Sequence, residues 1–127
     1  MTILHIDDDA DTRFLVREML REEAGIGWLE ASGVEEALDR HSKVCPDAIL
    51  LDNRLGGRDG IEWLPQIRAR GGCPVWILTG LCRPELAEQA ARMGAAGVLS
   101  KDELLDRSLT VAALCRPAST ARRPGCR

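Results

Sequence analysis

The stretch Ala48-Ile49-Leu50-Leu51-Asp52 places four apolar residues directly before a carboxylate. A short apolar run of this kind is typical of a strand that is buried on both faces of a parallel sheet. Further strands are predicted at residues 3–6, 26–31, 75–78 and 98–99, and longer amphipathic segments separate them. Five strands that alternate with five helices predict an α/β fold with a parallel sheet and right-handed crossovers.

The predicted helices share apolar residues at three- and four-residue spacing, which forms one stripe along each helix. In chain order, the stripes are Leu15, Val16, Met19 and Leu20; Val34, Ala37, Leu38 and His41; Ile61, Leu64 and Ile67; and Leu86, Ala90 and Met93. A last helix is predicted over residues 103–114. Pro65 interrupts the third stripe near its start, whereas Gly94 is well placed to end the fourth helix.

The composition is typical of one globular domain and does not indicate binding to nucleic acid or to a membrane. The chain has 127 residues and a net charge of −3. No apolar run approaches the roughly 20 residues that a membrane span needs, and Met1 leaves no room for a signal peptide. We therefore expect a cytoplasmic protein whose five cysteines are reduced. Residues 1–115 are predicted to form the domain, and residues 116–127 a disordered basic tail.

Polar side chains follow four of the predicted strands at the point where each strand ends. Asp7 and Asp8 follow the first strand, Asp52 the third, Thr79 the fourth and Lys101 the fifth. In open α/β sheets, ligands bind at the carboxyl ends of the strands. Neighbouring carboxylates repel one another, and Mg2+ relieves that repulsion because it binds carboxylate and phosphate oxygens. A hydroxyl and an ammonium group suit a transferring phosphoryl group, and a carboxylate can itself be the nucleophile.

This ordered set of residues resembles the receiver domains of bacterial two-component response regulators. The resemblance is carried by Ile6-Asp7-Asp8-Asp9, Ile49-Leu50-Leu51-Asp52, Asp59-Gly60, Ile77-Leu78-Thr79-Gly80 and Gly94-Ala95-Ala96-Gly97-Val98-Leu99-Ser100-Lys101. It extends over residues 2–114, nearly the whole chain. It implies a flavodoxin-like (βα)5 doubly wound parallel sheet with strand order 2-1-3-4-5, in which neighbouring strands lie about 4.8 Å apart.

The resemblance also implies a role for each strand-end residue. Asp52 would be the phosphoacceptor, Thr79 would hydrogen-bond the phosphoryl group, and Lys101 would pair with it. The ligands of Mg2+ would be Asp7 (mainly through water), Asp8, Asp52 and the backbone carbonyl of Arg54. The donor would be a histidine kinase or a histidine phosphotransfer protein, and the signal would pass to a downstream protein that the sequence does not identify. The domain would catalyse only its own phosphorylation and dephosphorylation.

Three positions depart from the usual pattern of the family. Asp102 stands where most receivers have a proline, Val98 where many have a switching aromatic ring, and Gly56 where proline is frequent. A valine cannot swing between buried and exposed positions as a ring does. We therefore expect phosphorylation to change the surface of residues 83–114 through Thr79.

Two other functions fit parts of the sequence. A receiver-like binding module that works without phosphorylation is suggested by the Val98 and Asp102 departures. A phosphatase of the haloacid dehalogenase type also uses an aspartate nucleophile, but Asp11 stands where that family has a hydroxyl.

Several residues have a simpler structural interpretation. Asp9 and Asp11 are interpreted as caps of the first helix, His5 as a core histidine, and Trp28 and its two fellow tryptophans, Trp63 and Trp76, as packing residues.

Overall fold

The computed structural model describes residues 2–20, 27–55, 58–80 and 83–101. Five parallel strands in these ranges form one sheet. They are β1 (Thr2–Ile6), β2 (Gly27–Ala31), β3 (Ala48–Asp52), β4 (Val75–Thr79) and β5 (Gly97–Ser100). The spatial order is β2-β1-β3-β4-β5, which confirms the predicted order 2-1-3-4-5.

Helices connect consecutive strands, as the alternating pattern predicts. They are α1 (Ala10–Leu20), α2 (Val34–Val44), α3 (Leu64–Arg68), which follows a 3-10 turn at Gly60–Trp63, and α4 (Pro84–Arg92). The predicted helix over residues 103–114 and the predicted tail over residues 116–127 lie outside the described residues. None of the helices in the described ranges has the length and apolar character that crossing a membrane requires.

The two faces of the sheet contact different helices. On one face, Leu4, Ile6, Ile49, Leu51 and Ile77 pack with apolar residues of α2, α3 and α4. The other face carries a second cluster of buried residues: Ile3, Val16, Ala48, Leu50, Leu78 and Leu99. Because successive strand residues point to opposite faces, a strand that is covered on both sides must be apolar throughout. This explains the uninterrupted apolar run of β3, all of which is buried.

The predicted apolar stripes face the core in three of the four helical segments. Their buried members are Val34, Ala37, Ile61, Leu64, Ile67 and Ala90, and Leu38, Leu86 and Met93 are half-buried. The stripe of α1 is narrower than predicted, because Val16 is buried whereas Leu15 is 50% exposed. Successive helical residues point about 100° apart, so only one of these two neighbours can face the sheet. The side chains of Met19, Leu20 and His41 lie outside the described residues.

Pro65 and Gly94 occupy the positions where each is compatible with a helix. The α-helix begins at Leu64, so Pro65 falls in its first turn, where proline is tolerated. Gly94 follows α4 with a φ of 93°, the left-handed conformation of a glycine that ends a helix, as predicted.

The structural interpretations of the aromatic residues and of His5 are confirmed. Trp28, Trp63 and Trp76 are half-buried and pack against the two apolar clusters, and His5 is fully buried. Cys45 and Cys73 form no disulfide within the described residues; the other three cysteines lie outside the described residues.

A short antiparallel hairpin follows β3. Arg54–Leu55 pairs antiparallel with Arg58–Asp59, and Gly56 and Gly57 between them lie outside the described residues. The chain then returns to β3, where the N–H of Gly60 donates to the carbonyl oxygen of Asn53. A Cβ at Gly60 would collide with the carbonyl oxygen of Asp52. Glycine is therefore required for the hairpin to close against the end of β3.

We expect Gly60→Ala to lower the free energy of unfolding by roughly 1–3 kcal/mol, the usual cost of forcing extra volume into a packed site. Gly80→Ala is the matched control, because a Cβ there meets nothing within 4 Å. Urea denaturation followed by circular dichroism measures both. Equal stability of the two variants would contradict the close approach of Gly60 to Asp52.

Candidate functional site

Three carboxylates meet at the carboxyl edge of the sheet. Asp7 directly follows β1, Asp8 is the next residue, and Asp52 ends β3. Ile6 pairs with Leu51 across the two parallel strands, so the residue after each comes to the same edge. One oxygen from each of the three carboxylates lies within 4.8 Å of the other two. The structure therefore brings together the three acids that the sequence singled out.

The donor set fits a hard divalent cation. All three groups offer carboxylate oxygens, which are the ligands that Mg2+ prefers, and Asp8 is exposed and so open to an incoming ion. Asp7 is only 1% exposed, so its charge is poorly screened by water. Close like charges in a partly buried site repel one another, and a bound cation relieves that repulsion.

The carboxylate of Asp52 has two donor groups beside it. Its side chain is almost buried, with the Nζ atom of Lys101 3.4 Å from Oδ1 and the backbone N–H of Arg54 donating to Oδ2 at 3.2 Å. Burial raises the pKa of Asp52, and the negative charge of Asp7 raises it further. Lys101 and the Arg54 N–H act in the opposite direction without reversing the shift. The two donors therefore contact the carboxylate, but they do not offset the effects of burial and of Asp7 on its pKa.

Thr79 and Lys101 also lie at this edge. Thr79 is buried at the end of β4, the strand next to β3, and pairs with Ser100 of β5. Lys101 follows directly and spans the distance from β5 to Asp52 with its long side chain. Val98 is half-buried and packs against the apolar cluster beside α4, so an aliphatic group occupies the expected ring position. Asp102, like Gly56, lies outside the described residues.

Asp9 caps helix α1, as predicted. Its Oδ1 accepts the backbone N–H of Asp11 at 3.1 Å and its Oδ2 accepts the hydroxyl of Thr12 at 2.7 Å. The hydrogen bond from Thr12, followed by that from the Asp11 N–H, lowers the pKa of Asp9. Asp11 lies in the first turn, where a negative charge interacts favourably with the helix dipole. Both acids therefore stabilise helix α1, and neither belongs to the carboxylate cluster.

The sequence did not predict a network of hydrogen bonds that surrounds Asp7. The guanidinium of Arg13 donates to the backbone carbonyl of Asp7 at 2.5 Å and to Glu30 at 3.1 Å. Glu30 also accepts from Arg17 at 2.7 Å and from the indole N–H of Trp28 at 2.9 Å. Burial alone would raise the pKa of Glu30, but the Trp28 hydrogen bond and the two arginines outweigh it and lower the pKa. The backbone of Asp7 is thereby fixed to α1 and β2.

Comparison with known proteins shows which family shares this arrangement. A family model described as the response regulator receiver domain matches residues 3–113. The chain is 32% identical to the transcriptional regulatory protein PdtaR of Mycobacterium tuberculosis over 99 residues, which cover 78% of this chain and 48% of PdtaR. It is also 32% identical to the chemotaxis protein CheY of Halobacterium salinarum over 100 residues, which cover 78% of this chain and 82% of CheY. The chain thus spans about half the length of PdtaR.

A solved structure agrees with these sequence matches. The receiver domain of a Francisella response regulator superposes with a TM-score of 0.74 at 28% identity. The superposition covers 90% of this chain and 95% of that domain. The likeness therefore extends over most of this chain and nearly all of that domain.

The raised pKa of Asp52 predicts how stability depends on pH. A carboxyl group whose pKa is raised by folding destabilises the folded state once it ionises. That cost is complete above the folded pKa and absent below the usual value of 3.8. We therefore expect Asp52→Asn to raise the Tm of the protein in EDTA at neutral pH, and the gain to disappear as the pH falls below about 4.

Differential scanning calorimetry across this pH range measures the effect, with Asp59→Asn, at an exposed position of the hairpin, as the matched control. Saturating Mg2+ should reduce the gain, since the cation compensates the charge that the amide removes. A lower Tm of Asp52→Asn than of wild type in EDTA would contradict the proposed crowding of charge.

Proposed function

The chain belongs to the family of response regulator receiver domains, which act in phosphoacceptor signalling, and we propose that Asp52 accepts its phosphoryl group. One observation carries this assignment: Asp52 is the carboxylate that lies both in the acid cluster and beside Lys101. A nucleophile in this position has a cation next to the oxygens on which negative charge develops. Asp7 is buried more deeply and Asp8 is exposed, so neither has the same combination.

The reaction consists of one bond made and one bond broken. An oxygen of ionised Asp52 attacks the phosphorus of a phosphohistidine, a P–O bond forms, and the P–N bond breaks with its electron pair passing to the imidazole nitrogen. Lys101 pairs with the negative charge that arrives, and the hydroxyl of Thr79 donates a hydrogen bond to a phosphoryl oxygen. The product is an aspartyl phosphate, and hydrolysis later returns Asp52 to its starting form.

The residues proposed to hold Mg2+ are Asp8 and Asp52 directly, Asp7 mainly through water, and Arg54 through its backbone carbonyl. When bound, the ion would neutralise negative charge on the phosphoryl oxygens. The hairpin supports the Arg54 assignment, because the Arg54 N–H already contacts Asp52 and keeps this segment beside the acid cluster.

The proposed donor is a histidine kinase or a histidine phosphotransfer protein, and the proposed output is contact with another protein in the cytoplasm. On this reading, the domain is not an enzyme with a separate substrate. Membership of the receiver family argues against the phosphatase alternative, because the family match over residues 3–113 includes all the proposed site residues. Thr79 is proposed to couple the phosphoryl group to α4, which follows it in the chain.

Incubation with Mg2+ and acetyl phosphate should add one phosphoryl group to the wild-type protein and none to Asp52→Asn, since an amide oxygen is too weak a nucleophile. Intact-mass spectrometry detects the addition. Asp59→Asn should be labelled like the wild type. Equal labelling of wild type and Asp52→Asn would refute the assignment, and no labelling of either would favour the phosphorylation-independent binding module.

The metal assignment makes a separate prediction for two neighbouring acids. Asp8→Ala removes a proposed direct ligand and should weaken Mg2+ binding roughly tenfold or more, since the loss of an outer-shell partner alone often costs that much. Asp9→Ala should leave Mg2+ affinity almost unchanged but cost about 0.5–2 kcal/mol of stability, because it removes a helix cap.

Isothermal titration with MgCl2 and urea denaturation measure the two properties separately. The same Mg2+ affinity in Asp8→Ala and wild type would show that Asp8 is not a ligand.

A further inference from the structure

The side chain of Asp7 faces a buried histidine on its own strand. His5 and Asp7 are two residues apart on β1 and therefore point to the same face of the sheet. The Nε2 atom of His5 lies 3.5 Å from Oδ2 of Asp7, and both side chains are almost completely removed from water. The sequence suggested only a core histidine, and the contact gives that residue a polar partner at the site.

Both members of this pair carry polar atoms with no hydrogen-bond partner within the described ranges. These atoms are the two ring nitrogens of His5 and Oδ2 of Asp7. Buried polar groups in folded proteins are almost always paired, so an unpaired donor that faces an unpaired acceptor requires an explanation. The separation exceeds an ordinary N–H···O distance by only a few tenths of an ångström. A small rotation of either side chain closes it.

The orientation of the imidazole is fixed by its surroundings. Trp28 of β2 packs edge-on against the His5 ring, with 5.9 Å between the ring centroids. Trp28 donates to Glu30, Glu30 accepts from Arg13, and Arg13 donates to the backbone carbonyl of Asp7. The contacts thus form a closed circuit that begins and ends at Asp7. Within this circuit the His5 ring lies between Trp28 and the carboxylate of Asp7.

We propose that His5 is a positioning residue for Asp7, donating its Nε2–H to Oδ2 and thereby holding the carboxylate ready for a cation at the acid cluster. The inference rests on the proposed metal role of Asp7. The other oxygen, Oδ1, already accepts the backbone N–H of Asp9 at 2.9 Å. Donors on both oxygens prevent the carboxyl group from rotating about its bond to Cβ. A ligand that is held in place in this way loses less freedom when the ion binds.

The first test uses the wild-type protein without metal. Nitrogen-15 NMR of the His5 ring identifies which nitrogen carries a proton. A protonated Nε2 whose signal moves in Asp7→Asn, where the acceptor changes from carboxylate to amide, supports the pair. A ring with no proton on Nε2 overturns the proposal, because that nitrogen then has nothing to donate.

The second test compares variants at position 5 by titration calorimetry with MgCl2. His5→Leu keeps an apolar side chain of similar size but removes the donor, and its affinity for Mg2+ should fall roughly tenfold, as expected when an outer-shell partner is lost. His5→Gln carries an amide N–H at a similar reach and should recover most of the affinity. Wild-type affinity in His5→Leu overturns the proposal.

A matched control separates positioning from loosening of the core. Ile3 lies on the same face of β1, is fully buried, and packs in the neighbouring apolar cluster. Ile3→Val should lower the Tm without changing Mg2+ affinity. If Ile3→Val weakens Mg2+ binding as much as His5→Leu does, the effect is general packing and the proposal is wrong.

The outcomes also distinguish this inference from the proposed function. Mg2+ binding and Asp52 labelling in wild type, together with unchanged affinity in His5→Leu, would overturn the role of His5 alone. Failure of wild type to bind Mg2+ would overturn the proposed metal site and with it any role of His5 toward the cation.

Discussion

The crowding of three carboxylates at one edge of the sheet is the constraint on which the rest of the site depends. Asp7, Asp8 and Asp52 bring three negative charges within 4.8 Å of one another, and Lys101 supplies one positive charge. The formal charges of these four side chains sum to −2, which is the charge that one divalent cation would neutralise. Burial raises the pKa of Asp52, and the negative charge of Asp7 raises it further.

The sheet holds these charges at its edge because β3 is apolar up to Asp52 and its pairing with both neighbouring strands fixes the register. Each residue of β3 is buried, so the strand cannot slip by one residue without moving Asp52 away from the edge and reversing both faces. Pairing of β3 with β1 and β4 fixes the two flanking strand ends. Gly60 also contributes to the position of Asp52, because only a residue without Cβ allows the hairpin to pack against the backbone of Asp52. Packing thus holds in place charges that would otherwise separate.

The sequence predicted those parts of the structure that follow from periodicity and strand ends. Apolar runs and their terminal acids predicted the sheet and the cluster, because parallel strands must end together. Periodicity could not predict the contacts that depend on how elements approach one another. In the sequence Glu30 is an ordinary acid within a strand, and only the structure shows that Arg13 and Trp28 both donate hydrogen bonds to it. Leu15 likewise satisfies a helical stripe, but in α1 its neighbour Val16 is buried against the sheet and Leu15 is exposed. Positions beyond Lys101 stay predictions.

Position 98 holds a half-buried valine, so the proposed signalling step does not rely on a rotating ring. The proposed alternative is the Thr79 hydroxyl, which lies at the end of a buried strand and precedes α4. A hydrogen bond to a charged group contributes about 1.5–3 kcal/mol, and each 1.4 kcal/mol changes a two-state ratio about tenfold. One such bond can therefore turn a minor conformation into the major one. Because most residues of β4 are buried on the two faces of the sheet, the proposed movement is expected in α4 rather than in the strand.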